Sequence, residues 1–316
     1  MTILDPVILP NISVNATWEQ NGITVAGGNG VGNGLNQLSS PEDVYVYDDK
    51  TIYVADYGNH RIVEWILGAN TGKVVAGGNG AGVRTDQLNG PTHVIVDKNK
   101  DCLIICDQGN QRIVRWPRQN GTVGQIIVSN IYGWGVALDS EGNLYFADYY
   151  KHEVRCWQEK TMSEMVIAGG NGAGGRLDQF ITPSYIFVDH NNTLYVSDYG
   201  NNRVMKWMKG AKEGIVVAGG QDSGNNLTQL SNPYGFVVDQ AETVYVADRG
   251  NNRVIRWPVG AKQGSIVAGG NGQGSEKSQF NGLINLAMDQ HGHLFVADMY
   301  NNRIQKFNIN SVSDLK

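Results

Sequence analysis

The chain of 316 residues is poor in cysteine, with three, and in proline, with eight. Three thiols cannot build the multi-bridge framework of a small secreted scaffold. Cys102 and Cys106 lie four residues apart on one expected strand, roughly 13 Å at about 3.3 Å per residue, which is beyond disulfide reach. A Cys102–Cys156 bridge is left open by the spacing, and no Cys/His spacing resembles a zinc site. No apolar run approaches the ~20 residues needed to span a bilayer. The opening residues M-T-I-L-D-P-V-I-L-P lack the basic and apolar regions of a signal peptide. The net charge of −5 and pI near 5.7 leave no basic face for nucleic acid.

What the chain does have is glycine, 41 residues of it, and a repeat. Thr243 to Trp257 reads T-V-Y-V-A-D-R-G-N-N-R-V-I-R-W, two β-rich runs joined by a turn. Its aspartate recurs as Asp56, Asp107, Asp148, Asp198, Asp248 and Asp298, at steps of 51, 41, 50, 50 and 50. Nine residues after each comes Trp65, Trp116, Trp157, Trp207, Trp257 and finally Phe307. A period of ~50 residues signals a propeller or a solenoid. Each unit reads as four strands, but the last copy supplies only three. Its fourth is expected at the N-terminus, as Ile23 to Ala26. Sharing one blade between the two ends closes the ring and removes free sheet edges. The expectation is an all-β, six-bladed β-propeller of four-stranded antiparallel blades. An N-terminal strand completes the last blade. Residues 1–22 are an extension, 23–310 a single domain and 311–316 a tail.

The pattern P-x-x-V-x-V-D followed by L-Y-V-A-D-x-G-N-N-R-V-x-x-W resembles the NHL repeat, over about residues 23 to 308. The resemblance implies a six-bladed propeller, which the strand count reaches independently. It leaves function open, because relatives of this kind include protein-binding modules, RNA-binding modules and enzymes.

A residue that recurs in every blade builds blades rather than binding one ligand. On that ground the Asp/Arg pairs (Arg61, Arg112, Arg203, Arg253, Arg303) are expected to bond within the fold, and the tryptophans to pack between blades. The A-G-G-N-G-x-G loops lead into strands rather than helices, so they do not read as phosphate loops. Their glutamines (Gln37, Gln87, Gln179, Gln229, Gln279) are expected to tie each loop to nearby backbone. Asp48, Asp97, Asp139, Asp189, Asp239 and Asp289 suit turns better than calcium loops. Cys106 takes a small-residue core position. Cys156 takes a position held elsewhere by charged residues and is expected at the surface.

Function is then sought where the repeat breaks. In the third copy only S-N-I-Y separates Val128 from Gly133, ten residues fewer than between Ala76 and Pro91. Its turn reads Tyr149, Tyr150, Lys151, His152, Glu153, with K-H-E in place of N-N-R. Both changes fall in one sector of one face, where a notch would expose Trp134, Tyr149 and Tyr150. The second break is the channel mouth. There the pairs before each first strand vary: Glu42 and Asp43, Thr92 and His93, Trp134 and Gly135, Ser184 and Tyr185, Tyr234 and Gly235, Ile284 and Asn285. Glu42, Asp43, His93, Trp134, Tyr185, Tyr234 and Asn285 make a mouth suited to a protein side chain or a small polar or carbohydrate ligand.

The expected function is therefore a non-catalytic binding scaffold, monomeric, without nucleic-acid partner and with no cofactor indicated. The alternative, implied by the resemblance, is a lactonase, lyase or strictosidine-synthase-like enzyme. A lactonase-type channel calcium would draw on Glu42, Asp43 and Asn285, and an amine-condensing enzyme on Glu42 as base. A lyase would need a histidine triad, and only His93 sits at the mouth. Five sequons, at Asn11, Asn15, Asn120, Asn191 and Asn226, favour an extracellular location.

Overall fold

A computed structural model describes residues 10–48 and 50–310; the expected tail at 311–316 and the first nine residues of the extension lie outside that range. Six four-stranded antiparallel sheets form the blades of a ring. Blade 1 runs Pro41–Val46, Thr51–Asp56, Arg61–Ile66 and Lys73–Gly77, from the axis outward. Blade 6 begins with Leu283–Met288, Leu294–Asp298 and Arg303–Phe307. Its outer strand is Ile23–Gly27, which pairs antiparallel with Arg303–Phe307 and sets Ile23 opposite Lys306. The N-terminus thus closes the ring. Just before it, Trp18 is buried, bridges to Ile309 and donates its indole N–H to Gly292 O at 2.8 Å.

The second strands are apolar on both faces because each lies between two blades. In T-I-Y-V-A-D of blade 1 every residue is buried. The cores lie between blades: Tyr53, Ala55 and Ile62 of blade 1 pack with Val94, Leu103 and Trp116 of blade 2. Outer strands alternate more loosely and leave residues such as Ile23, Ile126 and Ile215 exposed.

The repeated turn is a clamp. Arg61 donates from Nε to Asp56 Oδ2 at 2.7 Å, from Nη1 to Asn33 O at 2.8 Å, and from Nη2 to Gly34 O and Gln37 O at 3.1 and 3.0 Å. Asp56 Oδ1 accepts from Ser39 N at 2.7 Å. The pair therefore straps the second turn to the glycine-rich loop before the first strand, and Arg112, Arg203 and Arg253 repeat the pattern. Each loop glutamine donates to a carbonyl of its own loop, as Gln37 does to Asn29 O. Gly77 ends the fourth strand at φ +66, where a side chain would press on His60 O.

All three cysteines are free and buried. This corrects the expectation for Cys156. Elsewhere its position holds long side chains such as Lys206 and Lys306, whose ammonium groups reach over the rings of Tyr195 and Phe295. Cysteine is too short to follow, and stays beneath its cross-strand neighbour Tyr145.

Candidate functional site

The variable pairs lie within the innermost strands, not ahead of them as expected from the sequence. The reason is a break in register at these residues, between Pro41 and Asp43, Gly133 and Val136, Pro183 and Ile186, Pro233 and Phe236, and Leu283 and Asn285. Such irregularities re-aim side chains. Here Glu42 turns towards Tyr234 and Arg249, and Asp43 towards His93 and Asn285.

The lower layer is a plug. Asp43 Oδ2 accepts from Val94 N at 2.8 Å and lies 3.4 Å from His93 Nε2, and Asp43 Oδ1 accepts from the Asn285 carboxamide. His93 Nδ1 accepts from Val136 N at 2.9 Å, so the ring proton sits on Nε2, facing Asp43. Burial pushes the His93 pKa down against the pull of Asp43, which is consistent with a neutral ring. Burial also raises the Asp43 carboxyl, opposed by His93, the Val94 N–H and Asn285. Tyr185 meets the His93 ring edge-on at 4.8 Å between centroids. Gly235 makes room for this crossing, since a Cβ there would overlap Asn285 Oδ1. Four innermost strands are thereby tied across the axis. Neither nitrogen of His93 is left for a solute.

Calcium finds no set here. Asp43 is occupied by donors. Asn285 turns its amide nitrogen to Asp43 while its oxygen accepts from Leu286 N. No group of three or more His, Cys, Asp or Glu side chains placed to hold a metal ion occurs among the described residues.

The upper layer is different. Trp134 and Tyr149 stack at 4.5 Å and 28°, and both are partly exposed. Tyr234 lies 5.3 Å from Trp134 and 6.1 Å from Tyr199, and Trp134 lies 6.3 Å from Tyr199. Tyr132, from the shortened loop, packs on Tyr149 and on the exposed Tyr150. Against this wall sits Glu42, 8 % exposed, with Oε2 unpartnered among the described residues. Burial pushes its carboxyl up to about 8; Arg249 and the Tyr234 hydroxyl pull it down and Asp43 adds to the rise. Arg249 spans the rim, its Nη1 3.5 Å from the Tyr199 hydroxyl and its Nη2 3.3 Å from that of Tyr300.

The structure thus divides the expected mouth residues. Glu42, Trp134 and Tyr234 belong to an aromatic basket; Asp43, His93, Tyr185 and Asn285 belong to the plug beneath it. Tyr149 joins the basket, and Tyr150 lies at its edge. His152 is a strap: its Nδ1 accepts from Thr182 N at 3.1 Å, as His60 accepts from Gly90 N. Lys151 stands 3.8 Å from Asp148, and Glu153 lies 3.5 Å from Arg155. Sequence reasoning missed Tyr199 and Arg249. They follow the repeated aspartate, at a position that reads Tyr57, Gln108, Tyr149, Tyr199, Arg249, Met299 around the ring. That variation amid constant neighbours was the available signal.

The NHL repeat is matched by residues 38–65. No curated protein matches the chain. Among solved structures, an auxiliary nutrient binding protein from Bacteroides thetaiotaomicron is similar at TM-score 0.69 and 15% identity, covering 96% of this chain and 75% of that one. A gluconolactonase from Xanthomonas campestris is similar at 0.64 and 14%, covering 95% and 99%. Virginiamycin B lyase from Staphylococcus aureus is similar at 0.57 and 10%, covering 92% and 99%. At these identities the likeness is one of fold.

Proposed function

Starting from a six-bladed propeller with an NHL repeat, we propose that this chain is a non-catalytic binding module. Its ligand is a small polar molecule seated in the basket of Glu42, Trp134, Tyr149, Tyr199, Tyr234 and Arg249. The observation that carries this reading is the partly exposed Trp134–Tyr149 stack, set beside a buried carboxylate oxygen without a donor. Flat aromatic faces give contact area at low entropic cost, and a few fixed polar groups give orientation. The ten-residue deletion before blade 3 opens the approach from that side. The imidazole nearest the axis is spent on the plug, which argues against proton shuttling through it. The nutrient binding relative lends the reading support by fold alone. All five sequon asparagines are exposed, which suits an extracellular module.

A second reading, an enzyme, is favoured by one observation: a carboxyl raised to about 8 against aromatic walls is poised as a general acid or base. One experiment separates the two. A library of small metabolites and sugars is screened by thermal shift, and hits are titrated calorimetrically against wild type and Trp134→Ala, with product formation followed. The binding reading expects hits that weaken about tenfold or more in Trp134→Ala and return unchanged. Hits indifferent to Trp134 sink the basket, and turnover lost in Glu42→Gln establishes the enzyme.

A further inference from the structure

The basket holds one carboxyl and one guanidinium; Arg249 acts on Glu42 through its charge, but Glu42 Oε2 and Arg249 Nε accept and donate no hydrogen bond among the described residues. In the ring of Glu42 the other five positions are Thr92, Trp134, Ser184, Tyr234 and Ile284; in the ring of Arg249 they are Tyr57, Gln108, Tyr149, Tyr199 and Met299. Glu42 and Arg249 are the sole formal charges in their rings, on blades 1 and 5. Glu42 Oε2 and Arg249 Nε are both buried without a partner among the described residues. In the regular blades the buried clamp charges are paired, as Arg61 on Asp56 demonstrates. A carboxyl and a guanidinium, each with a buried atom left unpartnered beside aromatic faces, call for a ligand that completes both.

We propose that the basket binds a small zwitterion of the amino-acid type, its ammonium on Glu42, its carboxylate on Arg249 and its side chain against the Trp134–Tyr149 stack. The inference rests on the basket being the binding site. Two Arg249 nitrogens are steadied by the Tyr199 and Tyr300 hydroxyls, which leaves a guanidinium held in place with N–H groups to spare for a planar carboxylate. A primary ammonium brings the donor that Glu42 Oε2 lacks and also sits favourably on the faces of Trp134 and Tyr234. A quaternary ammonium brings no donor, and a lone cation would meet Arg249 unopposed.

Binding is coupled to a proton. In the free basket burial keeps Glu42 protonated near neutrality. The titratable groups around it are Asp43 on its own strand, Tyr57, Cys106, Tyr234 and Arg249. An ammonium placed on Glu42 favours the carboxylate, so the proton leaves to buffer as the ligand binds.

The test is calorimetry of the full chain at pH 7 with the twenty free amino acids, glycine betaine and glucuronate as probes, each in phosphate and in Tris. The proposal expects apolar amino acids to bind, with about tenfold or greater loss in both Glu42→Gln and Arg249→Gln. It also expects a buffer-dependent enthalpy that reports proton release, abolished in Glu42→Gln, and no binding of betaine. Circular dichroism confirms that the variants fold. Glucuronate or another screened compound binding in a Trp134-dependent way, with no amino acid binding, overturns the zwitterion and leaves the basket standing. Amino acids binding equally well to Trp134→Ala, or no Trp134-dependent ligand at all, overturns both.

Discussion

Asp148 and Glu153 face each other across the second and third strands of blade 3, where the other five blades set aspartate against arginine. Asp148 Oδ2 is left without a hydrogen-bond partner among the described residues, and Lys151 stands 3.8 Å from it. The substitution and the ten-residue deletion are one event in physical terms. The arginine of a regular blade spends three of its bonds on carbonyls of the glycine-rich loop. With that loop gone, an arginine at 153 would be buried with one partner, and the site no longer favours it.

Removing the clamp should therefore cost different amounts in different blades. Arg253→Ala leaves the buried Asp248 without its cation, with only Ser231 N and the Asn251 amide as donors among the described residues, and should destabilise the chain by about 3–5 kcal/mol. Glu153→Ala removes a carboxyl that burial raises, with Asp148 and Glu164 adding to the rise, and should be neutral or slightly stabilising. Urea unfolding of the two variants checks this. Equal losses would mean that the clamp is not what holds a regular blade's loop.

The tryptophans offer a finer comparison. Trp207 donates its indole N–H to Ala211 O at 3.0 Å, as Trp65 and Trp116 do to their own links. Trp157 Nε1 has no partner among the described residues. Trp207→Phe should thus cost about 1 kcal/mol more than Trp157→Phe, the net worth of one hydrogen bond. The difference in urea midpoint at constant slope is the readout.

Much of this was legible in sequence because blade-building residues recur. Asp56, Arg61 and Trp65 announce their roles by returning every ~50 residues, and the three-strand last copy announces the closure by Ile23–Gly27. The basket was half legible: Glu42, Trp134 and Tyr234 vary where neighbours do not. Arg249 escaped because it sits inside the most regular motif, one residue after an invariant aspartate. The plug escaped for another reason. Asp43 meets His93 on the next blade and Asn285 on the last one, and no local pattern reports contacts across that span. Cys156 was misplaced because the repeat encodes a position's geometry, and a short side chain cannot use the exit that lysine uses there.

Gly235 tests the plug. A methyl group there would overlap Asn285 Oδ1, so Gly235→Ala should displace the carboxamide from Asp43 and cost about 1–3 kcal/mol. Asn285→Ala alone removes a donor from the buried Asp43 carboxylate and should cost a similar amount. The double variant should lose less than the sum, because the second change clears the space the first one needs. An additive double-mutant cycle would show that Gly235 and Asn285 do not share one constraint.

Glu42 is the residue whose stability and function should pull in opposite directions. Its carboxyl stands at about 8 in the fold against an ordinary 4.5. Below pH 4.5 it is protonated both folded and unfolded, and contributes no pH dependence. Between about 4.5 and 8 the unfolded chain ionises it while the folded chain does not. The folded state then holds the extra proton, and stability falls as pH rises. Over that window the loss is on the order of 3–5 kcal/mol, with little further change above it. Glu42→Gln keeps the shape and removes the titration. It should be more stable than wild type at pH 7.5, with the gap shrinking towards zero near pH 4.5, and it should bind the basket's ligand less well. Urea unfolding of both chains at pH 4.5, 6 and 7.5 decides the point, since a gap that does not grow with pH means that Glu42 ionises freely in the fold.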